Sequence, residues 1–346
     1  MAYTTIDKPQ DYFNTVLYTG NGSTQSITGV GFQPDWVWIK ERNNTKNHRV
    51  FDGVRGATKL MAANNTDAEA TNTDTLTSFD SDGFSLGFNN AVNDTSDTYV
   101  SWNWLAQNGT SANSDGSISS TVSANTTAGF SVVTYTGDGA SSATIGHGLG
   151  AAPAVLINKT RSLSGYDWNV YHQSLGPTKY MYLSSNATPA TATQMWNDTA
   201  PTSSVFTVGT YDNVNKSSAT YVTYCFVEKQ GYSKFGIYEG NGSSDGSFVY
   251  TGFSPAWVMI KRTDAAGFSW GIYDNKRPGF NEVDRYLMAD QNLAEQSGNN
   301  ELDLVSNGFK MTSSNAGNNA NGGDYIYMAF AENPFVSSTG IPATAR

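Results

Sequence analysis

The chain has 346 residues with 30 acidic and 20 basic side chains, a net charge of −10, and only 14% charged residues. This acidic balance argues against a nucleic-acid-binding face, which needs clustered lysine and arginine, and the single cysteine excludes an intramolecular disulfide framework. The sequence contains no apolar run of about 18 residues and no basic segment followed by an apolar one, so we expect neither a membrane span nor a signal peptide.

The first predicted element in chain order is a strand that ends in a glycine turn, and this element occurs three times. YTGNG begins at Tyr18, YTGDG at Tyr135 and YEGNG at Tyr238. The Asn-Gly and Asp-Gly pairs suit tight turns, because glycine adopts positive φ without a Cβ penalty.

The second element is an apolar run that starts at a proline and ends at a lysine. The three copies are PDWVWIK, PAVLINK and PAWVMIK, which close at Lys40, Lys159 and Lys261. Because WVWIK and WVMIK are apolar on both faces, they predict a central strand that is covered on both sides. The second copy departs from this pattern at Asn158.

The closing element of each copy shows the period-two alternation of a strand. In TYVSWNWLA the residues Val100, Trp102 and Trp104 alternate with Ser101 and Asn103, and TYVTYCFVE and DYIYMAFAE follow the same pattern. The large apolar face is therefore expected to meet a hydrophobic core. The lone cysteine of the second copy falls within this strand and is predicted to be a buried structural thiol.

The ordered recurrence of these elements predicts an all-β chain of three tandem antiparallel β-sandwich modules of jelly-roll or concanavalin-like type, each closed around its own core. We refer to the three copies as repeats 1, 2 and 3. The predicted boundaries are an N-terminal arm at 1–12, repeat 1 at 13–107, a Ser/Thr/Asn/Gly-rich linker at 108–128, repeat 2 at 129–230, repeat 3 at 231–333, and a C-terminal tail at 334–346.

Motifs that fix an enzymatic activity are absent from the sequence. HExxH does not occur, and no pair of carboxylates is shared between the copies. We therefore predict a protein that is not an enzyme and that has no cofactor and no metal site.

Five residues of repeat 2 are candidates for carbohydrate binding. Aromatic rings near turns can stack on a sugar, and neighbouring amide and carboxylate groups can bond to its hydroxyls. The candidates are Tyr166, Trp196, Asn197, Asp198 and Tyr211. The alternative for Trp196 is that its ring fills the edge of a sandwich or a contact between repeats.

The segments YTGNG at Tyr18, FQPDWVWIK at Phe32 and YMAFAENPFVSSTGIPATAR at Tyr327 resemble the repetitive β-sandwich proteins of marine bacteriophage virions. Those proteins are described as tail-fibre-like or virion surface proteins with lectin-like modules. The resemblance covers nearly the whole chain and carries no catalytic motif. It implies a place on a virus particle, in the tail or on the outer capsid surface, and assembly as a homo-oligomer, commonly a trimer.

The first functional hypothesis is therefore a bacteriophage virion structural protein of the tail or tail fibre that contacts host-surface glycan. A capsid decoration or cement protein that binds capsomers is the alternative, and a polysaccharide depolymerase is the second alternative. The expected partners are other virion proteins and host cell-surface polysaccharide, with no nucleic acid and no membrane.

Overall fold

Strands dominate the computed structural model, which describes residues 2–277, 281, 283–298 and 301–342. Strands make up 42% of the protein and helices 4%, so the predicted all-β class is confirmed. The sheets are antiparallel, as in a β-sandwich fold. In the described part of the chain, no helix is both long enough and apolar enough to cross a membrane. The finer likeness to a jelly roll or concanavalin stays a prediction.

Repeat 1 follows a short 3-10 turn at Pro9–Asp11. Its elements are β1 (Phe13–Thr19), β2 (Gln25–Thr28), β3 (Trp36–Glu41), β4 (Arg49–Asp52), β5 (Lys59–Ala62), β6 (Ala70–Thr71), β7 (Leu76–Asp80), β8 (Gly83–Leu86), α1 (Asn90–Asn93) and β9 (Thr98–Trp104).

Repeat 2 follows the same order except that the helix α2 replaces the strand β7, and it is preceded by two further strands. The elements are β10 (Ser111–Asn113), β11 (Ser120–Asn125), β12 (Phe130–Thr136), β13 (Ala143–Gly146), β14 (Val155–Thr160), β15 (Asn169–His172), β16 (Lys179–Tyr182), β17 (Ala190–Thr191), α2 (Thr193–Trp196), β18 (Val205–Val208), α3 (Asp212–Asn215) and β19 (Thr220–Phe226).

Repeat 3 completes the described chain. Its strands are β20 (Ser233–Glu239), β21 (Phe248–Tyr250), β22 (Phe253–Arg262), β23 (Gly271–Asp274), β24 (Leu287–Met288), β25 (Leu302–Val305), β26 (Gly308–Met311) and β27 (Asp324–Pro334).

Each repeat contributes one large sheet and one small sheet. The large sheets have the orders β1-β9-β3-β4-β5-β6, β10-β11-β12-β19-β14-β15-β16-β17 and β20-β27-β22-β23-β24. The small sheets are β2-β8-β7, β13-β18 and β21-β26-β25. The strands that contain the repeated lysine, β3, β14 and β22, lie inside their sheets, and β3 and β14 are buried along their whole length, as their apolar character predicts.

The segment predicted as a linker, 108–128, is partly a strand structure. β11 pairs along the edge of β12, and β10 pairs with β11, which extends the second large sheet to eight strands. The equivalent strands β1 and β20 are outer edges of their sheets. The linker prediction is therefore corrected here: short polar side chains suit a solvent-facing strand as well as a loop, so composition did not reveal the pairing.

A separate hydrophobic cluster lies within each repeat. Val37 and Phe51 of the first large sheet pack with Ile27 and Phe84 of the small sheet. Repeats 2 and 3 have corresponding clusters, and the one in repeat 2 contains the buried Cys225. The prediction of a buried structural thiol is thus confirmed, and burial raises the pKa of that thiol.

The largest hydrophobic cluster is shared by all three repeats, which corrects the expectation that each module closes only around its own core. The alternating face of Trp102 and Trp104 points into this cluster, together with Tyr224 of repeat 2 and Trp257 and Phe330 of repeat 3. Large sheets are therefore covered on both faces: one face packs on the small sheet of the same repeat, and the other packs on the other repeats. Period-two alternation identifies an apolar face but does not tell which surface covers it.

Aromatic contacts join every pair of repeats around the shared core. The ring of Trp36 stacks on Tyr224 at 4.4 Å between centroids, Phe13 stacks on Phe330 at 5.3 Å, and Phe226 meets Phe330 at 5.9 Å. Repeat 1 thus contacts both other repeats, and repeats 2 and 3 contact each other, so the three sheets close into a ring.

The lysines that stand one residue before the ends of β3, β14 and β22 are buried. Lys40, Lys159 and Lys261 are each 0% exposed. Their ammonium groups donate to backbone carbonyls, as from Lys159 to Thr66 of repeat 1 at 3.3 Å. Loss of hydration lowers the pKa of each lysine to about 8.

The glycine turns adopt the conformation that the sequence predicts. Gly22, Gly139 and Gly242 have φ values of 67°, 76° and 66°. A buried asparagine in each repeat holds the turn: the side-chain oxygens of Asn93, Asn215 and Asn319 accept from the backbone N–H groups of Asn21, Asp138 and Asn241.

The N-terminal arm packs against the body of the protein. Ile6 is 2% exposed and belongs to the shared core. The Asp7 carboxylate accepts from the backbone N–H of Ser338 at 2.6 Å, so the arm and the tail meet. Residues 343–346 of the predicted tail lie outside the described residues.

Candidate functional site

Trp196 is not available for sugar stacking, which corrects one of the predicted carbohydrate contacts. Its ring is 1% exposed, lies in the core of repeat 2 and meets Tyr171 edge to face at 6.2 Å. Asn197 and Asp198 follow it at positive φ, and Asp198 accepts from the Thr193 hydroxyl at 2.7 Å. The composition of the turn after α2 is typical of a binding loop, but the indole ring of Trp196 packs in the core of repeat 2 instead.

The two predicted tyrosines lie near Asp212, one through a hydrogen bond and the other as its neighbour in the chain. The Tyr166 hydroxyl donates to Asp212 at 3.1 Å, and Asp212 directly follows the half-exposed Tyr211. Lys216 also donates to Asp212 at 2.7 Å, and this bond lowers the pKa of the carboxyl group. Tyr166 and Tyr211 therefore lie at one place on repeat 2, and their role in carbohydrate binding stays a prediction.

The corresponding place on repeat 3 forms a cavity. Tyr166 corresponds to Phe268, because Gly165 and Gly267 precede them and each donates its N–H to a carbonyl of the preceding repeat. Tyr211 corresponds to Asn315, because each accepts the N–H groups of the residues three and four positions later.

The cavity has a volume of about 180 Å³ and combines aromatic rings with amide and carboxylate groups. Its lining includes Phe268, Tyr273, Tyr286, Glu301, Asn315 and Asn318. Asn315 is exposed, whereas Tyr273, Glu301 and Asn318 are 3%, 3% and 2% exposed. The cavity thus runs from the surface to a buried polar floor.

Glu301 is the central acceptor of that floor. One carboxylate oxygen accepts from the Asn315 amide at 2.6 Å, and the other accepts from the Asn318 amide at 3.2 Å and from the Tyr273 hydroxyl. A buried carboxylate usually has a cationic partner, and Asp274 has one in Arg277 at 2.7 Å. The described donors to Glu301 are all neutral, and burial raises its pKa.

The side chain of Asn318, also on the cavity floor, has an amide oxygen without a described hydrogen-bond donor. Its amide nitrogen faces Glu301, and its amide oxygen is buried with no hydrogen-bond partner in the described part of the chain. Buried polar atoms are normally satisfied by protein, water or ligand. The floor therefore has free acceptor capacity.

The ring of Phe268 lies at the mouth of the cavity and contacts the cationic side chain of Arg262. The guanidinium of Arg262 lies 4.6 Å from the centroid of Phe268 and pairs with Asp264 at 2.8 Å. The neighbouring Gly267 donates to the Asn186 carbonyl of repeat 2 at 3.0 Å. The ring of Phe268 is thus positioned by the Arg262 guanidinium and by the backbone hydrogen bond of the residue before it.

Comparison of the repeats explains why sequence reasoning placed the site in repeat 2. Met195 and Val214 are apolar core residues of repeat 2, and the corresponding positions of repeat 3 are Glu301 and Asn318. An aromatic-rich segment led to the prediction of a site in repeat 2. The more informative feature of the sequence was that these two core positions are both polar in repeat 3.

The arrangement is suited to binding a small polar ligand. Rings, an amide pair and a carboxylate provide stacking surfaces and fixed hydrogen-bonding groups, which are the usual components of a ligand pocket. In the portion of the chain that the structure describes, no group of three or more His, Cys, Asp or Glu side chains could hold a metal ion.

Comparison with known proteins identifies a family but no characterised relative. No curated protein matches the chain, and no solved structure matches it. One family model matches residues 8–334, which includes all three repeats. The chain therefore belongs to the family described as "Domain of unknown function (DUF7483)".

Proposed function

We propose that this protein is a structural component of a bacteriophage virion, in the tail or tail fibre, and that it contacts host-surface glycan without catalysing a reaction. The observation that carries the glycan contact is the cavity of repeat 3, where the ring of Phe268 stands beside the amides of Asn315 and Asn318 and the carboxylate of Glu301.

The cavity supports glycan binding through its mixture of groups. A sugar ring presents apolar C–H faces that pack on an aromatic ring, and hydroxyls that need acceptors and donors at fixed positions. Asn315 at the exposed rim and Glu301 on the buried floor provide such groups at two depths.

The architecture supports the structural part of the proposal. Three sheets closed around a shared aromatic core form a rigid body, and the surface has few charges. Such a body can present the repeat 3 cavity while its other faces bind virion proteins. Assembly as a homo-oligomer, which the resemblance implies, is part of this proposal, because multiple copies would strengthen weak glycan contacts through avidity.

Binding of the labelled full-length chain to an array of bacterial surface polysaccharides tests the glycan contact. We expect Phe268→Ala to weaken binding about tenfold, since an aromatic contact contributes up to about 1.5 kcal/mol. Tyr166→Ala tests the corresponding place on repeat 2 in the same assay, and Phe88→Ala, at an exposed ring of repeat 1, is the control that should bind as the wild type does.

The outcomes of this test are distinct. Failure of the wild-type chain to bind any bacterial polysaccharide would refute the glycan contact. Loss of binding in Tyr166→Ala, with Phe268→Ala unaffected, would move the site to repeat 2. The virion location is tested separately by fitting the structure into an electron-microscopy map of the particle, where density for the chain in the tail is the expected result.

A further inference from the structure

We propose that the cavity of repeat 3 recognises a ligand that carries a protonated amine, and that its glycan is therefore an amino sugar with a free amino group. This inference rests on the proposed function and names the class of sugar. It follows from the hydrogen-bonding capacity, the charge and the aromatic lining of the cavity.

The unfilled groups of the cavity floor are acceptors. Glu301 accepts from Asn315, Asn318 and Tyr273, and a carboxylate has about four acceptor positions, so capacity for a further donor remains. The amide oxygen of Asn318 has no described partner at all. Because the Asn318 nitrogen is already directed at Glu301, reversing this amide would place two acceptors against each other. The complementary ligand group must therefore be a donor.

The charge of the floor favours a donor that is cationic. Asp52 and Asp274 are buried against Arg55 and Arg277, so each negative charge has a positive partner. Glu301 has only neutral described donors, and its burial disfavours the unpaired charge. An ammonium group supplies both the missing donor and the missing positive charge.

The aromatic lining favours the same ligand. Tyr273 and Tyr286 line the cavity with their ring centroids 5.9 Å apart. Aromatic faces beside a carboxylate attract an ammonium group through the ring quadrupole, and the attraction is greatest where water is excluded. One face of the Phe268 ring is occupied by Arg262, and the buried ring of Tyr273 lies next to Glu301, to which its hydroxyl donates.

The residues that would give specificity for an amine occur in repeat 3 and not at the equivalent positions of repeats 1 and 2. The positions of Glu301 and Asn318 are Thr75 and Val92 in repeat 1, and Met195 and Val214 in repeat 2. Only repeat 3 combines a carboxylate with an amide at this pair of positions. We therefore expect one amine site per chain among these three equivalent places.

Calorimetric titration of the full-length chain at pH 6.5 tests the inference with matched sugars. The probes are glucosamine and galactosamine, their neutral parents glucose and galactose, and the N-acetylated forms of both amines. We expect at least one free amino sugar to bind roughly tenfold more tightly than its neutral parent and its acetylated form.

The variant Glu301→Gln keeps the size and hydrogen-bonding ability of the side chain and removes its charge. It should reduce the preference for the free amine to within about twofold, whereas Glu239→Gln, at an exposed carboxylate on β20, should leave the preference unchanged. Thermal melting of each variant establishes that it is folded before titration.

The results separate this inference from the proposed function. Equal binding of amino and neutral sugars by the wild type would overturn the amine inference and leave the glycan proposal standing. An unchanged amine preference in folded Glu301→Gln would also overturn it. Absence of binding to all six sugars would overturn the inference, and the polysaccharide array would then decide the proposed function independently.

Discussion

The three histidines of the chain share one hydrogen-bonding pattern that fixes their protonation state. In each ring Nδ1 accepts: from the Trp38 indole in His48, from the Leu149 N–H in His147, and from the Ser174 N–H in His172. Nε2 must then carry the proton, and it donates to the backbone carbonyls of Met288, Thr202 and Tyr327 respectively. Loss of hydration lowers the pKa of all three rings.

We predict that His172 makes the protein sensitive to acid. Burial lowers the pKa of this ring from 6.5 to about 4. Between these values the unfolded chain binds the proton more readily than the folded chain, so the free energy of unfolding falls as the pH falls from about 6.5 towards 4. The contribution of this ring approaches roughly 3 kcal/mol.

Urea denaturation of the wild type and of His172→Gln at pH 7 and at pH 4.5 measures this contribution. Glutamine can still donate to the Tyr327 carbonyl but does not titrate, so the variant should lose less stability on acidification. The other two histidines are present in both proteins and cancel in the comparison. Equal losses in the two proteins would show that His172 stays neutral in the unfolded chain or charged in the folded one.

The residues of the candidate site show what sequence could and could not reveal. Aromatic and amide residues near turns predicted one place on the repeat as a site, but composition also favoured Trp196, whose ring is in the core. Glu301 has no equivalent carboxylate in the other copies, and a lone glutamate before a strand is usually solvated. Its role depends on Asn315 and Asn318, and those contacts are set by tertiary packing.

At the scale of elements, the strands β4, β15 and β23 end on residues that join one repeat to the next. Asp52 accepts from the Tyr224 hydroxyl at 2.7 Å, and Asp274 accepts from the Trp102 indole at 3.0 Å. His172 is the equivalent of these aspartates and donates to a backbone carbonyl of β27. The position of the donors Trp102 and Tyr224 is occupied in repeat 3 by Met328, which has no hydrogen to donate. The residue of repeat 2 that faces it is therefore the donor His172 and not an acceptor aspartate.

The residues that immediately precede these three strands also join the repeats into a ring. Trp168 donates to the Ala62 carbonyl at 2.8 Å, and Trp270 donates to the Tyr182 carbonyl at 3.0 Å. His48 occupies the equivalent position in repeat 1 and donates to the Met288 carbonyl at 3.0 Å. Each repeat thus donates to the preceding one, and repeat 1 donates to repeat 3.

We predict a measurable coupling between Trp102 and Asp274 across the contact of repeats 1 and 3. Trp102→Phe should destabilise the protein by about 2 to 4 kcal/mol, because it removes a hydrogen bond to a buried carboxylate and leaves a small cavity. In a double-mutant cycle with Asp274→Asn, the coupling energy should be about 1 to 3 kcal/mol.

The matched control for this cycle pairs Trp102→Phe with Asp52→Asn. Asp52 is the equivalent aspartate, but its partner is Tyr224 of repeat 2. The two changes should therefore be additive within about 0.5 kcal/mol. Coupling of similar size in both cycles would mean that the core responds as a whole and that the Trp102–Asp274 hydrogen bond has no specific role.

At the scale of the whole molecule, the sequence predicted the repeated strands but not their mutual dependence. The alternation of Val100, Trp102 and Trp104 predicted one apolar face, and that face is buried. A pattern with period two carries no information about the partner of that face. Here the partner is another repeat, so three sandwich-like units are joined by a core that none of them possesses alone.

The shared core predicts that repeat 3 will not fold as a stable monomer when residues 231–346 are expressed alone. Separation would expose the inward faces of β22 and β27, including Trp257 and Phe330, which are each 1% exposed in the whole chain. Soluble monomers rarely expose contiguous apolar patches larger than about 600 Å². The fragment should therefore aggregate or bind a hydrophobic dye, and it should lack a cooperative urea transition.

Complementation provides the control for that experiment, because residues 1–230 contain the other two sides of the core and the arm with Ile6. Co-expression of 1–230 with 231–346 should yield a non-covalent complex with a cooperative transition, since the cut at Gln230 falls between β19 and β20. A monomeric 231–346 fragment that melts cooperatively without its complement would show that its cluster of Val258, Tyr325 and Phe309 suffices for folding. The ring would then be an assembly of independently stable domains.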